Sequence, residues 1–265
     1  MAEGILAGKR GVVMGVANEK SIAWACAQAC AAQGASLIFN YLGEALEKRV
    51  KKLLDDNLPN AKMFACDVAK DIEIIAFFDQ VRQEWGGLDF VIHSIAYADR
   101  EDLKDKYVTT SRANFAMALD ISAYSLVAVS REAAPLMTNG GSIITMTYYG
   151  AEKVVPRYNV MGVAKAALEA STRYLAYDLG PQNIRVNAVS AGPLRTLSAS
   201  AISGVKQMLN KSGECTPLRR NITAEDVAGT SVYLLSDLSS GVTGEVVHVD
   251  SGYHAMGMFL TEDDV

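Results

Sequence analysis

Between Tyr148 and Lys165 the chain reads YYGAEKVVPRYNVMGVAK, three tyrosines ahead of one lysine. A phenol with an ordinary pKa near ~10 keeps its proton at neutral pH and can donate a hydrogen bond to an oxygen that is gaining charge. An ammonium close by can hold hydroxyl groups or place positive charge beside the same oxygen. A tyrosine one helical turn before the lysine would stand at position 161, which is Met161. The candidates are therefore Tyr158 and, further back, Tyr148. On a continuous helix, positions 158 and 165 differ by about 20° of azimuth and ~10.5 Å of rise, so they share a face two turns apart. Pro156 biases its predecessor toward extended backbone, which puts Tyr158 at or just before a helix start. Its hydroxyl is then swung away from where a tyrosine at i, i+4 would hold it.

Short apolar runs rich in β-branched residues alternate with stretches of helical period. Strands are expected near 11–16, 36–41, 62–66, 89–95, 141–147, 184–190 and 246–250. Helices are expected near 21–34, 44–57, 71–85, 111–137, 159–180 and 224–235, the last opened by a capping box at Thr223 and Asp226. Runs apolar on both faces suit a parallel sheet covered on each side. The expectation is an α/β fold: a single-domain Rossmann-type, doubly wound parallel sheet spanning residues 1–265. Residues 194–222 carry no clear strand and follow the sixth one, where a helical insert covering a substrate is useful; a hairpin that only packs accounts for their composition equally well.

Composition narrows the field. Half of the 265 residues are hydrophobic, 21% are charged and the net charge is −5, enough for a large core and poorly suited to broad nucleic-acid binding. The opening MAEGILAGKRGVVMGVANEKS reads as neither a signal peptide nor a membrane span. Cys26, Cys30, Cys66 and Cys215 show no CxxC spacing; Cys26 and Cys30 share a helix face where packing is the ordinary role, and a reducing cytoplasm fits them. No metal site is expected.

The first strand runs into GVANEKSIAWA, where a dinucleotide fingerprint would carry three glycines. Only Gly15 is one; Ser21 and Ala23 take the later positions and are small enough for close approach. Ser21 is expected to cap the helix whose N-terminal N–H groups face an anion. Taken alone, the loop reads as an ordinary strand-turn-helix. After the second strand, NYLGEAL offers neither an acid for a ribose nor an arginine for a 2′-phosphate, with Leu42 at the contact position; the absence of a nearby arginine leans toward NAD, tempered by Lys48 and Arg49 close in sequence. CDV ends the third strand with Asp67, able to accept from an adenine amino group, and HSIA ends the fourth.

GVANEKSIA, HSIA, YYGAEKVVPRYNVMGVAKAALEA, RVNAVSAGPLRTL and GEVVHVDSG together resemble the bacterial enoyl-acyl-carrier-protein reductases. These are divergent short-chain dehydrogenase/reductases that use Tyr-x6-Lys in place of Tyr-x3-Lys, and the likeness runs over essentially the whole chain. The resemblance implies reduction of trans-2-enoyl thioesters on acyl carrier protein by NADH, with NADPH left open, in fatty-acid elongation. It implies that Tyr158 stabilises the enolate oxygen, that Lys165 holds the nicotinamide ribose, and that Tyr148 is a second active-site tyrosine. Cofactor contacts carry over to Gly15, Ser21, Ile22, Leu42, Asp67, Val68, Ser94, Ile95 and the run Gly192, Pro193, Leu194, Arg195, Thr196, Leu197 and Ser198. Ala98, Tyr158, Met161, Ile202, Val205 and Met208 carry over as the substrate side. A homo-oligomer, a tetramer, is implied, with AALEASTRYLAYDLG as an interface helix, and Lys206, Lys211, Arg219 and Arg220 as a basic bias that would steer an acidic carrier. Ala96 stands where some relatives have glycine, narrowing the cofactor-side pocket by a methyl group. Two rivals are set aside here. A β-ketoacyl or other carbonyl reductase would need a tyrosine at position 161, and a non-catalytic dinucleotide sensor would need none of the tyrosines or the lysine.

Overall fold

The computed structural model describes residues 4–196, Leu209 and 212–258. Its seven strands are β1 (Arg10–Met14), β2 (Ser36–Tyr41), β3 (Lys62–Ala65), β4 (Phe90–His93), β5 (Gly141–Thr147), β6 (Ile184–Ala191) and β7 (Val246–Val249). They form one sheet in the order β3-β2-β1-β4-β5-β6-β7, every neighbouring pair parallel. The order reverses between β1 and β4, so the crevice beyond their carboxyl ends is the place such a sheet offers a ligand.

Among the described residues the helices that cover the sheet are α1 (Ile22–Ala32), α2 (Gly43–Asn57), α3 (Asp71–Trp85), α4 (Arg112–Leu119), α5 (Ser125–Ala133), α6 (Val160–Leu179) and α7 (Ala224–Leu235). Successive strand residues point to opposite faces, and both faces are apolar. Val13, Phe39, Ile92 and Val189 meet Trp24 of α1 and Val227 of α7 on one side. Val12, Ile38, Val91 and Val186 meet Phe77 and Phe78 of α3, Leu126 of α5 and Leu168 of α6 on the other. The capping box at α7 is present in full, Thr223 N donating to Asp226 Oδ2 at 2.8 Å and Asp226 N to Thr223 Oγ1 at 3.3 Å.

The helix expected over 111–137 is corrected in its middle. A π-turn at Asp120–Tyr124 separates α4 from α5, and a 3₁₀ turn at Ala134–Leu136 ends the run. One extra residue in a helical turn shifts the faces on either side, which apolar periodicity alone does not reveal. Arg112–Leu136 is long and apolar enough to cross a membrane by length and composition, but α5 packs in the core, with Leu126, Ala128 and Val129 fully buried.

Candidate active site

The loop after β1 is shaped by two residues of opposite character. Gly15 takes φ +99°, and a β-carbon there would overlap the Ser94 carbonyl beyond β4, so only glycine lets the two strand ends approach. Its N–H donates to Asn40 Oδ1 at 3.0 Å, and Asn40 Nδ2 donates to the Cys66 carbonyl at 3.3 Å. Asn40 is buried and ties the ends of β1, β2 and β3 together. Sequence reasoning passed over it, though a polar residue in an apolar strand was a usable signal.

Ser21 occupies the N-cap position of α1, but its hydroxyl does not cap. It accepts from Ala17 N at 3.0 Å and Asn18 N at 3.1 Å, bracing the loop in front of the helix. The expectation of a side-chain cap is thereby corrected. Because the serine is committed backward, the first-turn N–H groups of α1 have no side-chain cap and remain suited to an anion. Ile22 packs partly into the core beside this turn.

Around the same crevice, Leu42 is 54% exposed at the end of β2. The Asp67 carboxylate accepts from Ala69 N at 3.1 Å and lies 3.4 Å from Lys70 Nζ. Val68 and Ile95 are partly buried against the core, and Ser94 N donates to the Met14 carbonyl at 3.0 Å. Beyond β6, Gly192 N donates to the Val249 carbonyl at 2.8 Å and Thr196 N to the Leu194 carbonyl at 2.9 Å. Pro193 is half-buried and Arg195 exposed. Leu197, Ser198, Ile202, Val205 and Met208 lie outside the described residues, as do Lys206 and Lys211. Of the remaining basic residues, Arg220 is paired with Asp226 at 2.6 Å and Arg219 donates to the Glu214 carbonyl at 2.6 Å.

The tyrosines converge at the end of β5. Helix α6 begins at Val160, so Tyr158 stands outside it, as the proline argument requires. Arg157 and Asn159 both take positive φ, 67° and 44°, an uncommon backbone for such residues. Asn159 Nδ2 holds the bend by donating to the carbonyls of Asp102 at 2.7 Å and Asp105 at 2.8 Å. Tyr158 is 9% exposed and meets the Tyr148 ring edge-on, centroids 4.9 Å apart. Tyr158, Met161 and Leu103 form a small apolar cluster, with Ala98, Tyr148 and Val155 against it. Leu103, Val155 and Asn159 were absent from the sequence reading, because only the folded loop brings them to Tyr158.

Burial, with smaller contributions from Tyr148 and Glu169, pushes the Tyr158 hydroxyl well above the ordinary phenol range. It stays protonated and remains a donor. Burial does the same to Tyr148, helped by Tyr253 and Asp250. Lys165 is 5% exposed and donates from Nζ to the Met146 carbonyl at 2.7 Å, beneath the strand end that leads to Tyr148. Desolvation lowers its pKa to about 8, opposed by attraction to Glu169 one turn on. Glu169 itself is held by Thr147 Oγ1 at 2.7 Å, and burial raises its pKa.

A parallel sheet of this order, opened by glycine at its switch point and with a tyrosine and a buried lysine at the end of the fifth strand, defines a class: the short-chain dehydrogenase/reductases. Within that class the family model described as "Enoyl-(Acyl carrier protein) reductase" matches residues 15–254, and the chain belongs to that family. It is 54% identical over 257 residues to an NADH enoyl-acyl-carrier-protein reductase of Rhizobium meliloti, covering 97% of this chain and 94% of that one. A relative of the same name from Bacillus cereus is 54% identical over 254 residues, covering 96% and 99%. The fold superimposes with a TM-score of 0.93 on the Anaplasma phagocytophilum enzyme solved with NAD, at 50% identity and coverage of 98% and 97%. The Bacillus cereus enzyme solved with NADP+ and an indole naphthyridinone gives 0.95, at 53% identity and coverage of 96% and 100%.

Proposed function

We propose that this protein reduces the 2,3 double bond of trans-2-enoyl thioesters carried on acyl carrier protein, with NADH as reductant, in the elongation of fatty acids. The placement of Tyr158 carries the reading. It sits seven residues before Lys165, outside α6, in the apolar cluster with Met161 and Leu103. A tyrosine in the helix one turn before the lysine would address a different oxygen; this one stands before the helix, among apolar side chains suited to an acyl group.

The residues present fit a dinucleotide. Gly15 lets the loop after β1 close against the end of β4 at the crevice, and α1 presents N–H groups uncapped by a side chain. Gly15, Ser21 and Ile22 would hold the pyrophosphate, Leu42, Asp67 and Val68 would border the adenosine, and Ser94, Ile95, Lys165 and the run from Gly192 to Ser198 would hold the nicotinamide side. NADH, when bound, would supply the hydride for the substrate β-carbon, the α-carbon then taking a proton from water. The protein's own part is at the thioester oxygen. As charge develops there, the protonated Tyr158 hydroxyl donates to it, and one well-placed donor of this kind lowers the barrier by about 2.7–4 kcal/mol. Lys165 orients the ribose and adds positive charge. Tyr148, edge-on to Tyr158, limits where that ring can sit. Met161 and Ala98, with Ile202, Val205 and Met208 outside the described residues, would line the acyl chain.

The same reading takes residues 1–265 as one dinucleotide-binding and catalytic domain with residues 194–222 as its covering insert. It also includes a cytoplasmic homotetramer. The highly exposed Tyr174 and Tyr177 on α6 support an oligomer face, and the four free cysteines support a reducing compartment. The test is the loss of NADH absorbance with a 2-enoyl thioester, compared with a 3-ketoacyl thioester and with no substrate. Turnover confined to the enoyl arm is expected; equal or greater turnover in the ketoacyl arm would reject the proposal.

A further inference from the structure

His93 is the last residue of β4, fully buried, and has no part in the chemistry above. Its Nδ1 lies 3.0 Å from Thr145 Oγ1 on β5 and its Nε2 lies 2.9 Å from Ser125 Oγ, the first residue of α5. Ser125 has one hydroxyl proton, and that proton is spent on the Ile121 carbonyl inside the π-turn, at 2.6 Å. Ser125 therefore accepts from the imidazole, so Nε2 carries hydrogen and Nδ1 accepts from Thr145. Burial, with Lys165 of α6 adding repulsion, holds the ring neutral, its pKa lowered to about 3.

The π-turn that this bond secures has an outlet at the site. Its Ser122, also fully buried, accepts from Tyr97 N at 2.9 Å, donates to the Tyr97 carbonyl at 3.0 Å and lies 3.9 Å from Met161 Sδ. The segment it grips runs from Ser94 to Ala98, between the crevice and the Tyr158 cluster. We propose that His93 is a positioning residue: a neutral imidazole protonated only at Nε2, hooking the π-turn to β4 so that Ser122 holds the Ser94–Ala98 loop in place for substrate. The last clause rests on the function proposed above.

Three measurements test it. In the 15N-labelled protein the His93 imidazole should show a single neutral, Nε2-protonated form unchanged between about pH 5 and 8; an Nδ1-protonated form, or titration in that range, would overturn the assignment. His93→Gln can still donate to Ser125 from its own Nε, whereas His93→Asn reaches only toward Thr145. Hydrogen exchange at Tyr97 should accelerate at least tenfold in His93→Asn and Ser125→Ala and stay within about threefold of the parent in His93→Gln. In the enoyl assay the first two variants should raise KM about tenfold with kcat within threefold, and His93→Gln should restore KM. Unchanged exchange and KM in Ser125→Ala would refute the positioning role. Should the parent protein fail to turn over enoyl thioesters while the tautomer and exchange results hold, the function reading falls and the structural hook stands.

Discussion

Replacing Gly150 with alanine should disarm Tyr158 without touching it. Gly150 lies in the short turn Tyr149–Ala151 and is not among the glycines with positive φ, so alanine meets no backbone penalty and any effect is steric. A β-carbon there would stand 2.8 Å from Tyr158 Cε1 and closer still to Cδ1. Carbon atoms pack at about 3.5–4.0 Å, so the ring must retreat by roughly 1 Å. Tyr148, Met161 and Leu103 surround it, and the shift moves the hydroxyl off the position proposed for it at the thioester oxygen. A misplacement of ~1 Å costs about 100-fold in rate, or about 2.7 kcal/mol, close to the ~2.7–4 kcal/mol of losing the donor outright. The assay is kcat/KM for a 2-enoyl thioester in Gly150→Ala, Tyr158→Phe and the double variant, with NADH affinity titrated alongside. Each single variant should lose on the order of 100-fold, and the double variant should be no worse than Tyr158→Phe, because both act through one hydroxyl. A Gly150→Ala enzyme within threefold of the parent, or losses that multiply in the double variant, would refute the reasoning.

Lys165→Ala should weaken NADH binding at least tenfold, measured by fluorescence titration; unaltered affinity would remove the lysine from cofactor binding. The buried ammonium also predicts a pH dependence of stability. Its pKa falls from 10.5 to about 8 on folding, so between those values the unfolded chain binds more protons and stability rises with pH. The stability difference between the parent and Lys165→Met, from denaturant unfolding, should shift by about 3 kcal/mol in the parent's favour across that window and stay flat below about pH 7; a flat difference throughout would show that the lysine is solvated. Thr223→Ala should cost about 1 kcal/mol through loss of the α7 capping box, seen as a lower melting temperature at unchanged KM.

Much of this molecule is set by preferences that act over a few residues. Apolar runs mark the strands, most clearly the central β1, β4, β5 and β6, because a strand covered on both faces buries most of its side chains. Thr223 and Asp226 mark the start of α7 three residues apart, and Pro156 signals a helix start close to Tyr158, both through local backbone chemistry, whereas the bend that leaves Tyr158 outside α6 is held by Asn159 bonding to the distant Asp102 and Asp105 carbonyls. The spacing of Tyr158 and Lys165 was legible for the same reason. What depended on tertiary structure joins residues far apart in the chain. Asn40 reaches both Gly15 and Cys66 only because β2 lies between β1 and β3. Ser21 satisfies two N–H groups of the loop in place of its helix, a choice between competing donors that its identity does not decide. The π-turn at Asp120–Tyr124, the bond from Lys165 to the Met146 carbonyl and the bed Gly150 makes for the Tyr158 ring all arise where α5, α6 and β5 pack. Such contacts are set by the order of strands across the sheet, and no short window of sequence encodes that order.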